Sequence, residues 1–303
     1  MTTTATRPGP VQTPMPVGRA RGGERSPRSL LFLGLLWLSL LVAFFVLLAL
    51  LVTTAVEGWD RLDGRLLTNY SASRPAAAGA RAAVLGSIWV IGLTALLSIP
   101  LGVAAAIHLE EFADGRRWYN RFVELNIQNL AAVPAIIYGM LALGFLAALG
   151  VRNKNIVLGG AIALGLLILP VIIIATREAL RAVPQEIRQG SLALGATQWQ
   201  TVWRQTLPSA VPGIATGTIL ALSRALGEAA PLLLLGGLVY VTFDPNGILS
   251  GFTTMPIQIF NWTGRPQAEF RELAAGASIL LLAMLLAMNA LAIFIRNRYQ
   301  KRW

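Results

Sequence analysis

The chain has 303 residues, of which 55% are hydrophobic and 13% charged, with a formal net charge of +11 and no cysteine. Soluble globular domains carry about 25% charged residues, so much of this surface must face something other than water. The missing cysteines exclude disulfides, thiolate metal sites and cysteine nucleophiles, and the single histidine, His108, cannot build a histidine metal site alone. The positive charge does not describe a nucleic-acid binder. The arginines lie on short segments between apolar stretches instead of gathering on one domain, a pattern that suits an anionic membrane surface or an anionic solute.

Residues 1–29 are rich in Thr, Pro, Gly and Arg and hold almost no large apolar side chain, so they are expected to form a disordered, basic, cytoplasmic tail. Residues 30–56 carry no charge until Glu57. A bilayer crossing takes about 20 apolar residues, so this stretch predicts a first transmembrane helix, too long and too far from the start for an ordinary signal peptide. Further apolar stretches at 83–107, 125–150, 156–175, 211–240 and 273–295 bring the expected spans to six. None alternates strictly, which argues against a barrel, and no internal repeat of the kind found in many secondary transporters is visible. Residues 296–303 read as a second basic cytoplasmic tail. With the N-terminus inside, 16 Lys and Arg residues fall on the cytoplasmic side and 8 on the other. The bias places both termini in the cytoplasm.

The connection at 176–212 is the most informative segment. Pro184 can begin a helix, with Glu186 in its first turn to complement the dipole. Gly195 can end it in the left-handed conformation. Thr197 and Gln200 form a capping box for a second short helix, along which Trp199, Val202, Trp203 and Thr206 recur at three- and four-residue steps. Leu207-Pro208 is expected to terminate that helix. Two readings stay open from periodicity alone: a pair of amphipathic helices resting on the membrane, or a docking knob for a cytoplasmic partner, since tryptophan is enriched at interfaces.

The frame of Ala193, Leu194, Gly195 and Ala196 followed by Leu207 and Pro208 resembles the EAA loop of ABC importer permeases, with Gln189-Gly190-Ser191 in place of Glu-Ala-Ala and Gln205 in place of the usual Ile. The resemblance implies a coupling helix, with Trp199 and Trp203 on its docking face, that fits a groove in a separate ATPase subunit. Independently, the chain's two lysines, Lys154 and Lys301, do not follow glycine, so it has no Gly-Lys-Ser/Thr phosphate cradle and any ATP hydrolysis belongs to a partner chain. Three further stretches resemble the A-type permease of the phosphate-specific transporter: NLAAVPAIIYG at 129–139, RALGEAAPL at 224–232, and TMPIQIFNW at 254–262 in the following outer loop. The third is the one that points to the A type.

Arg224 and Glu228 stand four residues apart, on one face of a helix, near the middle of an apolar run. An isolated charge at that depth costs about 2.5–3.5 kcal/mol on insertion scales. The pair is therefore either a helix-locking ion pair or a site beside the solute path, where Arg224 attracts phosphate through its planar set of donors. Gly213 and Gly217 read as close helix packing. Gln128 and Asn129 can line a pore or bond neighbouring helices. His108 reads as a solvated loop residue, and Trp59, Tyr240 and Trp262 as interfacial anchors.

The expected protein is an all-α polytopic membrane protein with six transmembrane helices and the type I ABC importer permease fold. Its transmembrane domain covers 82–295 and its coupling loop 176–212. It would sit in the cytoplasmic (inner) membrane of a bacterium. The resemblance implies a heterodimer with a C-type permease subunit, two ATPase subunits below, a periplasmic or lipid-anchored phosphate-binding protein above, and membrane lipid around it. It implies no nucleic acid, no metal and no cofactor on this chain. Alternatives are a permease for another oxyanion such as sulfate or molybdate, an ion-coupled secondary transporter using Arg224 and Glu228, and a sensory or scaffolding membrane protein.

Overall fold

The structure is a computed structural model that describes residues 27–237 and 240–299. It divides into two units, Met1–Leu51 and Val52–Trp303. In the first, residues 27–51 belong to helix α1 (Pro27–Gly58), where Ser39 returns its hydroxyl proton to the Leu36 carbonyl at 2.8 Å. A hydroxyl satisfied within its own helix is compatible with apolar surroundings. The expected tail at 1–29 lies, up to Ser26, outside the described residues. The expected tail at 296–303 is helical as far as it is described.

The second unit begins with the short α2 (Gly64–Thr68), capped by Asp63. The long α3 (Arg81–Ile107) runs on into a widened π turn (His108–Phe112). Then follow α4 (Trp118–Ala131), α5 (Ala135–Ala148) and α6 (Val157–Arg181). Next come α7 (Gln185–Ala193), α8 (Gln198–Thr201), a second π turn (Val202–Thr206) and α9 (Leu207–Leu226). The chain closes with α10 (Ala230–Leu234), α11 (Met255–Thr263) and α12 (Ala268–Tyr299). No strand occurs among the described residues, so the fold is all-α. Among the described residues, five helical stretches are long and apolar enough to cross a bilayer, and α4 with α5 supplies a sixth if the bent pair is one span.

Two of the expected spans are broken. The run at 125–150 bends by 113° between α4 and α5, because the residue before Pro134 is biased away from the helical region. The α5 piece alone has 14 residues, about 21 Å of helix against about 30 Å of hydrocarbon. The run at 211–240 stops at Leu226, where Gly227 caps α9, and resumes at α10 with Pro231 in its first turn. A third expectation also fails: Leu207-Pro208 does not end a helix. Leu207 N–H reaches back five residues to the Val202 carbonyl. The widened turn gives the proline ring room and leaves no four-residue bond for Pro208 to break. The helix from Gln198 therefore continues to Leu226 as one span.

The central helix α6 is buried along most of its length, from Val157 to Leu180. Around it, Val90 of α3, Tyr138 and Ala142 of α5, Ala221 and Ala225 of α9 and Leu232 of α10 form the main core. Gly213 and Gly217 do serve close packing: a Cβ at either would collide with Ala179 or Ala175 of α6. A second cluster closes the opposite end. There 254–262 is not an open loop but the cap and body of α11, with Met255, Ile257 and Trp262 fully buried. Trp262 packs with Leu66, Phe270 and Leu273, so it is a core residue and not an interfacial anchor. Trp59 and Tyr240 are exposed.

Candidate functional site

Helix α7 ends in a Schellman turn. Gly195 has φ +86°; its N–H donates to the Leu192 carbonyl at 2.9 Å and the Ala196 N–H to the Ser191 carbonyl at 3.2 Å. Only glycine enters this conformation without cost. The turn lifts Leu194 almost wholly into solvent, 91% exposed, with Ala193 and Gly195 exposed beside it. Thr197 and Gln200 then close the expected capping box in both directions. The hydroxyls of Ser191 and Thr201, 2.9 Å apart, tie α7 to α8. The two short helices enclose an open cleft of about 420 Å³ lined by Glu186, Ile187, Gly190, Leu194, Gln200 and Arg204.

The four residues expected on one face do not stay together. Val202 turns into the core against Ile107, Leu180 and Ile214, and Thr206 is buried as well. Trp199 and Trp203 remain outside, with ring centroids 5.3 Å apart, and Trp199 lies 5.8 Å from Phe112. These aromatic rings line an apolar groove of about 470 Å³ with Pro100, Val103 and Ile107 of α3, distinct from the cleft beside Leu194. The intervening π turn resets the spacing, which is why a regular three-and-four count mixes the two sets. Leu207 is half-buried and Pro208 exposed where this helix continues into α9.

A charge cluster that sequence reasoning missed lies beside this loop. Arg177 meets Glu110 at 3.0 Å and Glu124 at 2.9 Å, Arg181 meets Glu110 at 2.7 Å, and Arg188 meets Glu111 at 2.8 Å. The Gln198 side chain donates to the Glu111 carbonyl. His108 sits in the π turn next to these carboxylates, exposed but helical, not in a loop. Gln128 and Asn129 are exposed on α4.

Arg224 and Glu228 come together at the break that ends α9. Arg224 Nε donates to Glu228 Oε1 at 3.5 Å, with side chains 50% and 25% exposed. Glu228 follows the Gly227 cap instead of continuing the helix. The α5 segment that follows the other break packs here: Gly139 lies directly against Pro231, and the Tyr138 hydroxyl donates to the Leu130 carbonyl across the α4–α5 bend at 2.5 Å. Both helix breaks thus meet near an arginine with donors to spare. From Leu207 to Arg224 the chain climbs about 25 Å of helix, so the loop and the Arg224 site are separate.

On the opposite end of α3, Arg81 Nη2 and Asp244 form a 2.6 Å pair. The Arg81 guanidinium holds the Asp244 carboxyl below the usual carboxylate range.

Residues 98–303 match the family described as binding-protein-dependent transport system inner membrane component. The chain is 30% identical to a Haemophilus influenzae protein named phosphate transport system permease protein PstA, over 92% of this chain and 96% of that one. It is 31% identical to the Mycobacterium tuberculosis phosphate transport system permease protein PstA 1, over 85% of each. It is also 31% identical to the Bacillus subtilis probable ABC transporter permease protein YqgI, over 85% of this chain and 91% of that one. Among solved structures, a bacterial alginate ABC transporter chain shares the fold at TM-score 0.62 and 16% identity, covering 92% of this chain and 99% of that one. A chain of the MetNI methionine ABC transporter does so at TM-score 0.56 and 20% identity, covering 71% and 95%. On the match over residues 98–303 and on these relatives, the chain belongs to the family of binding-protein-dependent transport system inner membrane components.

Proposed function

We propose that this chain is one permease subunit of an ATP-driven importer of inorganic phosphate. Similarity over 85% or more of the chain to permeases named for phosphate transport carries this reading. The Leu194–Gly195 turn and its cleft would receive a separate ATPase subunit, and a second permease chain, of the C type, would complete the pathway. A phosphate-binding protein would dock on the side of Asp244 and α11. Both termini would face the cytoplasm, as the basic-residue bias requires. Within the pathway Arg224, at the junction of the two helix breaks, would attract phosphate, and Glu228 would hold its guanidinium and prevent an empty path from storing a tightly held anion. Nothing in this role breaks a covalent bond on this chain.

The test is oxyanion uptake in cells deleted for the chain and complemented with it. Complementation should restore high-affinity uptake of labelled phosphate, and excess sulfate or molybdate should not compete. Restored sulfate or molybdate uptake without phosphate uptake would replace the solute in this reading.

A further inference from the structure

The pair between Glu111 and Arg188 joins segments far apart in sequence. Glu111 lies in the π turn that ends α3 and Arg188 lies in the middle of α7. Their side chains are 9% and 21% exposed, and the contact is 2.8 Å. The same Nη2 of Arg188 also donates to the Leu180 carbonyl at 2.7 Å, at the end of α6. Glu111 contributes a second tie through its carbonyl, which accepts the Gln198 amide of α8. One residue at the end of α3 therefore holds both short helices that flank Gly195. The neighbouring Glu110 binds Arg177 and Arg181 of α6, so the end of α3 is itself clamped.

The other end of α3 is fixed as firmly. Arg81 pairs with Asp244, and the Ser87 hydroxyl accepts the Met255 N–H at 2.9 Å. Between Arg81 and Phe112 the helix runs 32 residues, about 48 Å, enough to cross a whole membrane with its headgroups, about 40–45 Å. A helix pinned at both ends transmits displacement along its axis. A well-packed apolar contact would stabilise this junction as well as a buried ion pair or better, so stability does not explain the charges. A charge-assisted, directional tie that holds α7 to the ends of both α3 and α6 does.

We propose that Glu111 and Arg188 are positioning residues through which movement of the Leu194–Gly195 loop is carried into α3 and on to the opposite side of the membrane. The inference rests on the reading of this chain as an ATP-driven permease. The test uses the complete complex, reconstituted with its ATPase and phosphate-binding protein, carrying Glu111→Gln, Arg188→Met, or both. Assembly, ATP hydrolysis and phosphate uptake are measured on each. A lone buried charge destabilises, so either single variant can assemble poorly; the double variant has no lone charge and is the decisive one. It should assemble and hydrolyse ATP like the wild type while uptake per ATP falls about tenfold, a typical size for coupling between sites. Normal uptake per ATP in the assembled double variant would reduce the pair to a structural contact and overturn the proposal. A wild-type complex that takes up no phosphate would overturn the functional reading instead, a result visible before any variant is compared.

Discussion

A charge at Arg224 can lock a helix or serve a path, and paired substitutions separate the two. Arg224 and Glu228 meet at 3.5 Å with the arginine half exposed, a loose contact that leaves guanidinium donors unused. Arg224→Gln should lower phosphate uptake per assembled complex by roughly ten- to a hundredfold, the equivalent of about 1.5–3 kcal/mol for a hydrogen bond to a charged group. Glu228→Gln should remain partly active. Arg224→Met with Glu228→Gln should insert and assemble well yet stay deficient; recovery of uptake in that double variant would make the pair a lock. At Asp244 the prediction concerns pH. Its carboxyl is held below the ordinary range by Arg81, so the charged form is favoured in the folded state. The resulting stability is fully present above the unfolded pKa and is lost as pH falls through the lowered folded value. The difference in thermal stability between wild type and Asp244→Asn should therefore shrink as the medium becomes more acid than the carboxylate range. A difference that stays constant through that range would mean the pair contributes nothing.

Among the elements, the segment from α7 to α9 carries the proposed contact with the ATPase. Gly195→Val places a β-branched residue at φ +86°, at a cost of about 1–3 kcal/mol confined to an exposed turn. The variant should insert normally while co-purification of the ATPase and solute-stimulated ATP hydrolysis both fall; normal values for both would remove the turn from docking. This turn was legible in sequence because its chemistry is local: Gly195, Thr197 and Gln200 each act within a few residues, and the Gly213 and Gly217 spacing likewise foretold packing against Ala175 and Ala179. The interruptions at 132–134 and 227–229 were signalled by Pro134, Gly227 and Pro231, but the largely apolar composition of both runs concealed them, because hydropathy measures partition into lipid and not helical continuity. The π turn at Val202–Thr206 is invisible to a regular periodicity count. The ion pairs of Glu110 and Glu111 join residues 67 and 77 positions apart. No local pattern announces them, and a reading by neighbours left both carboxylates beside a solvated His108.

For the whole molecule, the spans and the orientation bias came from long-range composition, and the family frame from short motifs such as Ala193–Ala196 and Leu207-Pro208. What composition could not supply was the depth at which α11 is buried: Met255, Ile257 and Trp262 are fully enclosed although the segment connects two spans. Met255 and Trp262 enter a second core, which also takes in Ala80 and Ala83 about the start of α3, while Ile257 joins the main one. In the proposed role the loop at Gly195 receives the ATPase and the Asp244 end the binding protein, and the chain has no Gly-Lys-Ser/Thr phosphate cradle of its own for ATP. The decisive measurement is phosphate accumulation in proteoliposomes holding the complex purified through this chain, with ATP supplied to the ATPase side and phosphate-loaded binding protein on the other. Accumulation that requires both and survives a protonophore is the predicted result. Uptake that proceeds without ATP and collapses with the protonophore would contradict it, and would make Arg224 and Glu228 the coupling site of an ion-driven carrier.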